Sequence, residues 1–288
     1  MKSRILASVS GGETSMYMAK WLKENMADNN EIIYVFANTS QELEETLEFV
    51  EQCDQAFGLN VVWVEALVNP QRGPGCGTKA TVTNFENAKR NGEVFEAMIA
   101  KYGIPFIRSP HCTRELKNHT IRAYARSIGW KSNTYDLAIG IRADEIDRIN
   151  PKRREQRFIY PFVEYVEKTK KDVNTFWRDQ PFRLKIKSYE GNCKTCFKKS
   201  DRKLATIALE HPEWYDFYRD MEVKYEFKPD YQGKIPERPN RFFRSYRSCD
   251  DIFKLLENKD FQPSTDDKIV YDYKWDISNG CSESCEVF

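Results

Sequence analysis

The chain has 288 residues, which is enough to bury a sizeable core as one large domain or two small ones. Its 45 Lys and Arg residues almost balance its 44 Asp and Glu residues, so the formal net charge of +1 gives no reason to expect a polyanionic partner or a membrane surface. No stretch approaches the roughly 18 apolar residues of a membrane span, and the N-terminal segment is too short for a signal peptide, so we expect a cytoplasmic protein.

Apolar runs rich in β-branched residues alternate with segments of helical apolar spacing in the first half of the chain. The pattern predicts strands over 4–10, 31–39, 59–66 and 135–143, and helices over 13–27, 41–58, 85–103 and 113–129. Strands that alternate with helices in this way form a parallel sheet with helices on its faces. We therefore expect an α/β fold with a doubly wound, mainly parallel sheet.

The character of the sequence changes after about residue 160, where aromatic residues, prolines and basic residues become more frequent. Helical spacing persists over 168–179 and 202–222, and prolines and arginines over 228–247 indicate an extended loop. We expect residues 1–160 to form the α/β core. Residues 161–288 are expected to form a mostly helical and irregular, cysteine-bearing region packed on that core.

A turn with two adjacent glycines, SVSGGETS, follows the first predicted strand. Ligands of a doubly wound sheet bind at the carboxyl ends of its strands, where glycines allow a close approach of backbone N–H groups and the next helix contributes a positive N-terminus. Gly11 and Gly12 supply that backbone, and Ser10, Thr14 and Ser15 add hydroxyl groups. The segment predicts a site for an anionic ligand. The alternative is a strand–helix turn that happens to use two glycines.

Six segments, in order over about residues 4–222, resemble the motifs of one enzyme superfamily. SGGETS is similar to the S-G-G-x-[DT]-S pyrophosphate loop of the PP-loop ATP pyrophosphatases, the adenine nucleotide α-hydrolase superfamily. The others resemble its phosphoadenosine-phosphosulfate (PAPS) reductase branch and related phage and bacterial proteins: VFANTSQELEETLEFVEQC, SPHCTRELKNHTIR, AIGIRADEIDR, YPFVEYVEKTKKDVNTFW and GNCKTCFKKSDRKLATIALEHPEW. By resemblance, the chain is PAPS reductase-like.

The resemblance implies a nucleotide site. The phosphates of ATP or a related adenine nucleotide would be bound by Ser10, Gly11, Gly12, Thr14 and Ser15. Thr39 would approach the adenine or the ribose, and Lys117 would point into the same cleft and meet a phosphate or sulfate.

The resemblance also implies a loop that faces the reacting phosphorus, formed by Gly140, Arg142, Asp144, Glu145 and Arg148. Phosphoryl and nucleotidyl chemistry needs preorganised donors and cations around developing charge, which the two arginines would supply. One of the two carboxylates would hold Mg²⁺. The alternative for this loop is a charged segment closed by local salt bridges.

The eight cysteines of a chain expected in a reducing compartment predict metal ligands or redox groups before disulfides. Cys193 and Cys196 form a C-x-x-C pair, which is typical of a metal or cluster site, and the resemblance places Cys112 beside them. Four thiolates suit either a structural Zn²⁺ or a [4Fe–4S] cluster, and the residue types leave both open.

The fourth ligand is expected to be Cys285 or Cys281, with Cys249 as the fallback. Cys53 lies within an amphipathic helical pattern and is expected in the core. Cys76 lies in the glycine-rich loop RGPGCGTK, where it is either a reactive thiol or without a role.

Two enzymatic functions fit these motifs. In the leading one, an acceptor oxygen attacks the α-phosphorus of ATP, pyrophosphate leaves, and sulfur from a cysteine or cluster then displaces AMP, with a sulfur or electron donor protein as partner. The second is a sulfonucleotide (PAPS) reductase in which Cys285 is the catalytic nucleophile. The tail ESCEVF departs from the E-C-G-[LI]-H segment of those reductases, since it lacks the glycine and the histidine.

A third function belongs to another class, a nucleotide- or nucleic-acid-binding module whose metal is structural. Basic runs over 151–157, 193–203 and 238–247 suggest a local polyanion surface, despite the balanced total charge. Its stacking and basic residues would be Arg241, Arg244, Arg247, Phe242, Phe243 and Tyr246. The first and third functions are compatible if the acceptor is a nucleic acid.

Overall fold

The computed structural model describes residues 2–229 and 233–266. Six strands form one sheet in the order β4-β3-β2-β1-β5-β6. They are β1 Ser3–Val9, β2 Asn30–Asn38, β3 Val62–Leu67, β4 Lys79–Thr83, β5 Asp136–Ile139 and β6 Phe158–Ile159. All neighbours are parallel except β3 and β4, so the expected α/β fold with a mainly parallel sheet is confirmed. The chain builds outward from β1 through β2 and β3, then returns to the other side of β1 with β5.

Nine α-helices lie in the described part of the chain, together with a π-helical segment, Cys112–His119, and 3₁₀ segments that include Ala143–Arg148. The α-helices are α1 Glu13–Met26, α2 Glu44–Phe57, α3 Glu93–Tyr102, α4 Thr120–Ser127, α5 Pro161–Glu164, α6 Lys170–Arg178, α7 Asp201–Glu210, α8 Asp216–Lys224 and α9 Cys249–Lys254. None of the helices in these described stretches combines the length and apolar character that a membrane crossing needs.

Two of the predicted helices differ from the structure. The helix expected over 85–103 begins only at Glu93, because Gly92 has a φ of 87° that ends the preceding turn and starts a new direction. The helix expected over 113–129 begins with the π-helical segment and becomes an α-helix at Thr120. In a π-helix the hydrogen bond spans five residues, so Cys112 and Lys117 lie one turn apart on one face.

The strands alternate their side chains between two apolar clusters. Ile5 and Val9 of β1 pack into one cluster with Met16 of α1, whereas Leu6 packs into another with Ile121 of α4. Successive strand residues point to opposite faces, so both faces of β1 are buried beneath helices. This burial explains why the central strands read as continuous apolar runs.

The second half of the chain packs directly against the first. Phe162 and Trp177 belong to the cluster of α1 and α2, and the Trp177 indole N–H donates to the carbonyl of Glu13 at 2.9 Å. Tyr218 and Phe242 share a third cluster with Cys112. The expected division at residue 160 stays a prediction, and these clusters contain residues from both sides of it.

Candidate functional site

The glycine turn joins the end of β1 to the start of α1. The Ser15 hydroxyl closes it from inside, since it accepts from the Ser10 amide at 3.0 Å, lies 3.1 Å from the Ser10 hydroxyl and donates to the Gly12 carbonyl at 2.9 Å. Gly11 has a φ of 81°, which favours glycine, and a Cβ there would lie 2.6 Å from the Thr46 side chain. The turn is therefore a rigid structure built by its own hydroxyls.

The backbone of this turn presents N–H groups. In the part of the chain that the structure describes, no protein group accepts a hydrogen bond from the Gly11 or Gly12 amide. Gly12 is the N-cap of the 14-residue helix α1, and no side chain caps that end. Amide donors at a helix N-terminus attract anions, so this arrangement suits a phosphate. Thr14, the remaining residue of the expected phosphate loop, lies half-buried in the first turn of α1.

Gly140 follows β5 and contacts the same turn from the neighbouring strand. A Cβ on Gly140 would lie 2.9 Å from the Cα of Ser15 and 3.2 Å from its amide nitrogen. The glycine is needed for the close packing of two backbones. Whether it also faces a nucleotide stays a prediction.

Asn192, which sequence analysis did not single out, connects the glycine turn to the cysteine motif. Its side-chain amide donates to the Ser10 carbonyl at 3.0 Å and lies 3.5 Å from the Ser10 hydroxyl. Its own carbonyl accepts from the Leu43 amide at 3.2 Å. Because Cys193 is the next residue in the chain, the predicted phosphate turn and the predicted metal ligands are adjacent in space.

A buried carboxylate, also missed from the sequence, lies at the centre of this junction. Glu42 accepts hydrogen bonds from the Thr39 amide and hydroxyl, each at 2.9 Å. Its Oε1 lies 3.8 Å from the Lys117 Nζ and 3.8 Å from the Cys193 Sγ. Thr39 and Lys117, expected at a nucleotide, therefore both contact Glu42, whose side chain is fully buried. Their roles at a ligand stay predictions.

The three described cysteines of the expected metal site all lie near one tyrosine hydroxyl, that of Tyr218. Burial raises the pKa of Tyr218 well above its ordinary value, and the nearby thiols of Cys193, Cys196 and Cys112 raise that pKa further. Tyr218 itself belongs to the apolar cluster of Cys112. The structure thus brings the C-x-x-C pair and Cys112 into one neighbourhood.

One buried hydroxyl group in the same neighbourhood, Oγ1 of Thr113 next to Cys112, has no hydrogen-bond partner among the described residues. Oγ1 of Thr195, within the C-x-x-C loop, lies against the Tyr218 hydroxyl. A buried polar atom without a partner costs free energy, and such atoms are often explained by a bound group. Lys199 stabilises the C-x-x-C loop, because its Nζ donates to the Cys193 carbonyl at 2.7 Å.

Among the described residues, only Glu190, Glu210 and His211 bring three potential ligand atoms within 4.8 Å of one another. Whether the cysteines hold Zn²⁺ or an iron–sulfur cluster stays a prediction.

The other cysteines differ in their surroundings. Cys53 is buried in the main cluster, which confirms its expected place in the core. Burial and then the Glu222 carboxylate raise the pKa of Cys249, which disfavours its thiolate. Cys76 is partly exposed in its glycine loop. The calls on Cys281 and Cys285, as metal ligand or nucleophile, lie outside the described residues.

The expected phosphorus-facing loop forms the 3₁₀ segment Ala143–Arg148 and contains internal salt bridges. Arg142 Nε donates to Asp144 at 2.9 Å, and Arg148 Nη1 donates to Glu145 at 2.6 Å. Arg142 also lies 3.5 Å from Glu145. A Mg²⁺ ion at either carboxylate would have to share it with an arginine. The catalytic roles of these residues stay predictions.

The expected stacking surface at 238–247 is corrected by the structure. Phe242 and Phe243 are buried in the cluster around Tyr218, so neither ring is available to a nucleobase. Arg241 pairs with Glu226 at 2.7 Å, and Arg247 with Asp201 at 2.7 Å. The two phenylalanines therefore belong to the core, whereas Tyr246 is exposed.

The chain also has a cavity of 510 Å³ beside the junction. Its lining includes Leu43, whose amide is bonded to Asn192, and Glu190, which lies three residues before Cys193. Trp214 and the alternating basic residues Arg183 and Lys185 contribute to the wall. A cavity of this size is within the range of small-ligand sites.

No protein-family model matches this chain. Over 289 aligned residues it is 28% identical to the uncharacterized nin region protein ORF290 of Escherichia phage lambda, and the alignment covers 98% of this chain and 94% of that protein. The likeness extends over nearly the whole of both chains. The name of that protein states no activity, so function rests on the geometry described above.

Proposed function

We propose that this chain is an adenine-nucleotide-dependent enzyme of the PAPS reductase-like branch of the PP-loop ATP pyrophosphatase superfamily. Its sheet would be the doubly wound sheet of that superfamily, with the nucleotide at the glycine turn beside β1 and β5. The enzyme would activate an acceptor oxygen with ATP and then replace that oxygen with sulfur. The observation that carries the proposal is the contact of Asn192 with Ser10, which puts the phosphate turn next to the cysteine motif.

The first step is adenylation. The acceptor oxygen attacks the α-phosphorus of ATP, the bond from that phosphorus to the bridging oxygen breaks, and pyrophosphate leaves with the electron pair. The amides of Gly11 and Gly12 would hold the phosphates, because donors fixed before the reaction stabilise developing charge without reorganising. Arg142 and Arg148 lie on the loop that would supply positive charge, and Mg²⁺ would neutralise the leaving pyrophosphate.

The second step is sulfur transfer. A sulfur nucleophile attacks the acceptor carbon, the carbon–oxygen bond breaks, and AMP leaves with the oxygen. Cys112, Cys193 and Cys196 would hold the iron–sulfur group, which supplies a metal-bound position for sulfur next to the activated acceptor. Adjacent sites are required because the adenylated acceptor must meet the sulfur before water does.

The cavity beside the junction is the place we assign to the acceptor. It contains apolar and aromatic wall residues together with the buried Glu190 carboxylate and the edge of His211, which lie 3.4 Å apart. Such a lining favours a compact molecule with a ring and polar edges. A sulfur or electron donor protein would have to reload the site after each turnover.

The experiment that tests the proposal is a pyrophosphate-release assay with Mg²⁺ and ATP on the full chain. Ser10→Ala, Gly12→Ala and Glu145→Gln should each lower the rate, by about 100-fold where a transition-state donor is lost. Glu164→Gln is the matched control, because Glu164 pairs with Arg153 at 3.1 Å on a part-exposed surface outside the site. Wild-type rates in the three site variants would refute the proposal.

A further inference from the structure

The peptide between Ser10 and Gly11 has one defined partner. Asn192 donates from its side-chain amide to the Ser10 carbonyl at 3.0 Å, and Asn192 is itself buried. A trans peptide is planar, so the carbonyl of Ser10 and the N–H of Gly11 belong to one rigid unit and point in opposite directions. Fixing the carbonyl on one side therefore fixes the N–H on the other.

The Gly11 N–H, like that of Gly12, donates to no protein group among the described residues. Gly11 has a φ of 81°, and the orientation of the Ser10–Gly11 peptide plane is part of this turn conformation. A carbonyl that accepts a hydrogen bond also polarises its peptide and makes the opposite N–H a stronger donor. Asn192 thus acts on the donor that an anion at the turn would use.

The backbone that carries Asn192 is fixed to the loop after β2. The Asn192 carbonyl accepts from the Leu43 amide at 3.2 Å, and the Lys194 amide donates to the Gln41 carbonyl at 3.1 Å. Between these two hydrogen bonds, the backbones of Cys193 and Glu42 form an isolated antiparallel β-bridge. Asn192 and Cys193 are therefore consecutive residues of one segment, so a displacement of that segment with the turn would move both side chains.

We propose that Asn192 is a positioning residue that orients the Gly11 N–H toward a nucleotide phosphate and couples occupancy of the glycine turn to the reactivity of Cys193. The inference rests on the proposed function, since its occupant is the phosphate of ATP.

The test combines calorimetry of Mg²⁺–ATP binding with the rate of Cys193 alkylation by iodoacetamide, measured by peptide mass. Both use the full-length protein after bound metal has been removed with a chelator and the chelator dialysed away, because a thiolate bound to metal does not react with iodoacetamide. Cys76 is the internal reference, because it lies in the glycine loop RGPGCGTK and is partly exposed. In the wild type, saturating ATP should change the Cys193 rate about fivefold and leave the Cys76 rate unchanged.

The decisive variant is Asn192→Asp, which keeps the shape of the side chain and replaces the donor N–H₂ with an oxygen. It should bind ATP at least about 10-fold more weakly, because it loses one buried hydrogen bond and adds a negative charge beside the phosphates. Asn192→Ala removes the hydrogen bond without adding that charge. The Cys193 rates with and without saturating ATP should become equal. Asn192→Ala should behave alike, and Asn25→Asp is the matched control, since the exposed Asn25 amide donates to the Trp21 carbonyl at 2.8 Å on α1.

Each outcome has one meaning. If ATP binds the wild type without changing the Cys193 rate, the coupling is refuted and the proposed function stands. Wild-type affinity and rate ratio in both Asn192 variants would refute the positioning role. Failure of ATP to bind the wild type refutes the proposed function and this inference together. The wild-type comparison needs no variant, so it decides the coupling even if a substitution at Asn192 prevents folding.

Discussion

The backbone of Gly140 approaches that of Ser15 so closely that a Cβ on Gly140 would lie 2.9 Å from the Ser15 Cα. Gly140→Ala must therefore displace the first turn of α1, whose hydroxyl closes the glycine turn. We expect a loss of about 1 to 3 kcal/mol in the free energy of unfolding and weaker ATP binding. Urea denaturation and calorimetry measure the two effects.

Gly77→Ala is the control for that substitution, because a Cβ on Gly77 meets no atom within 4 Å and its backbone is not in the left-handed region. It should leave both measurements unchanged within about 0.5 kcal/mol. Equal effects of the two substitutions would contradict the close packing of β5 against α1.

The carboxylate of Glu115, in the π-helical segment, should make the free energy of unfolding sensitive to acid. Its burial raises the pKa, but hydrogen bonds from His119, Arg114 and Thr78 outweigh burial and lower the pKa to about 2. Because the pKa of Glu115 is lower in the folded state, its carboxylate stabilises the fold fully at pH values above the unfolded pKa near 4.5. This stabilisation is lost as the pH falls toward 2.

Glu115→Gln should therefore lower the free energy of unfolding at pH 7 by up to about 3 kcal/mol and flatten its decline between pH 5 and pH 2. Denaturation midpoints across that range measure both effects. Glu31→Gln is the control, because Glu31 pairs with Arg4 at 3.0 Å on the surface. An unchanged acid profile in the Glu115 variant would contradict the hydrogen-bonded role of this carboxylate.

The central strands could be predicted because residues buried on both faces leave long apolar runs in the sequence. β4 could not, since it is an antiparallel edge strand of mostly exposed Lys, Thr and Ala residues. The helix over 85–103 was placed too early because apolar spacing ignores Gly92, where the backbone turns. The sequence therefore predicts the buried elements well and the exposed edge poorly.

Within the candidate site, the sequence found residues that belong to recognisable motifs and missed those defined by tertiary contacts. Asn192 contacts Ser10, which lies 182 positions away in the chain, and Glu42 contacts Cys193, which lies 151 positions away. Tyr218 lies near Cys196, 22 positions away. Spacing within a segment cannot reveal such pairs. The position of Asn192 immediately before the C-x-x-C pair was the one available signal.

Phe242 is expected to stabilise the fold and to take no part in ligand stacking. Its ring packs edge-on against Tyr218 at 5.0 Å and is fully buried, whereas the Tyr246 side chain is 65% exposed. Phe242→Ala should cost about 3 to 5 kcal/mol in the free energy of unfolding. Tyr246→Ala should cost under about 0.5 kcal/mol, and equal losses in denaturation would contradict the burial of Phe242.

Substitution of Cys112 and substitution of Cys249 should have different effects on the metal content of the protein, although both residues are buried. The Cys249 amide donates to the Glu222 carboxylate at 2.9 Å, and burial and then that carboxylate raise the pKa of the Cys249 thiol. The Cys112 thiol lies instead near Tyr218 with Cys193 and Cys196, so three potential thiolate ligands are close together there. We therefore expect Cys112→Ala to lose most of the iron, sulfide or zinc per chain, and Cys249→Ala to keep it.

The measurement is iron, sulfide and zinc per chain in protein purified without oxygen, together with its visible spectrum. Cys249→Ala should lower the free energy of unfolding by about 1 to 2 kcal/mol through lost packing alone. Cys76→Ala is the control for removal of a thiol as such, since its thiol is partly exposed in the glycine loop. Loss of metal in Cys249→Ala with retention in Cys112→Ala would reverse the assignment and place the metal beside Glu222 instead of Tyr218.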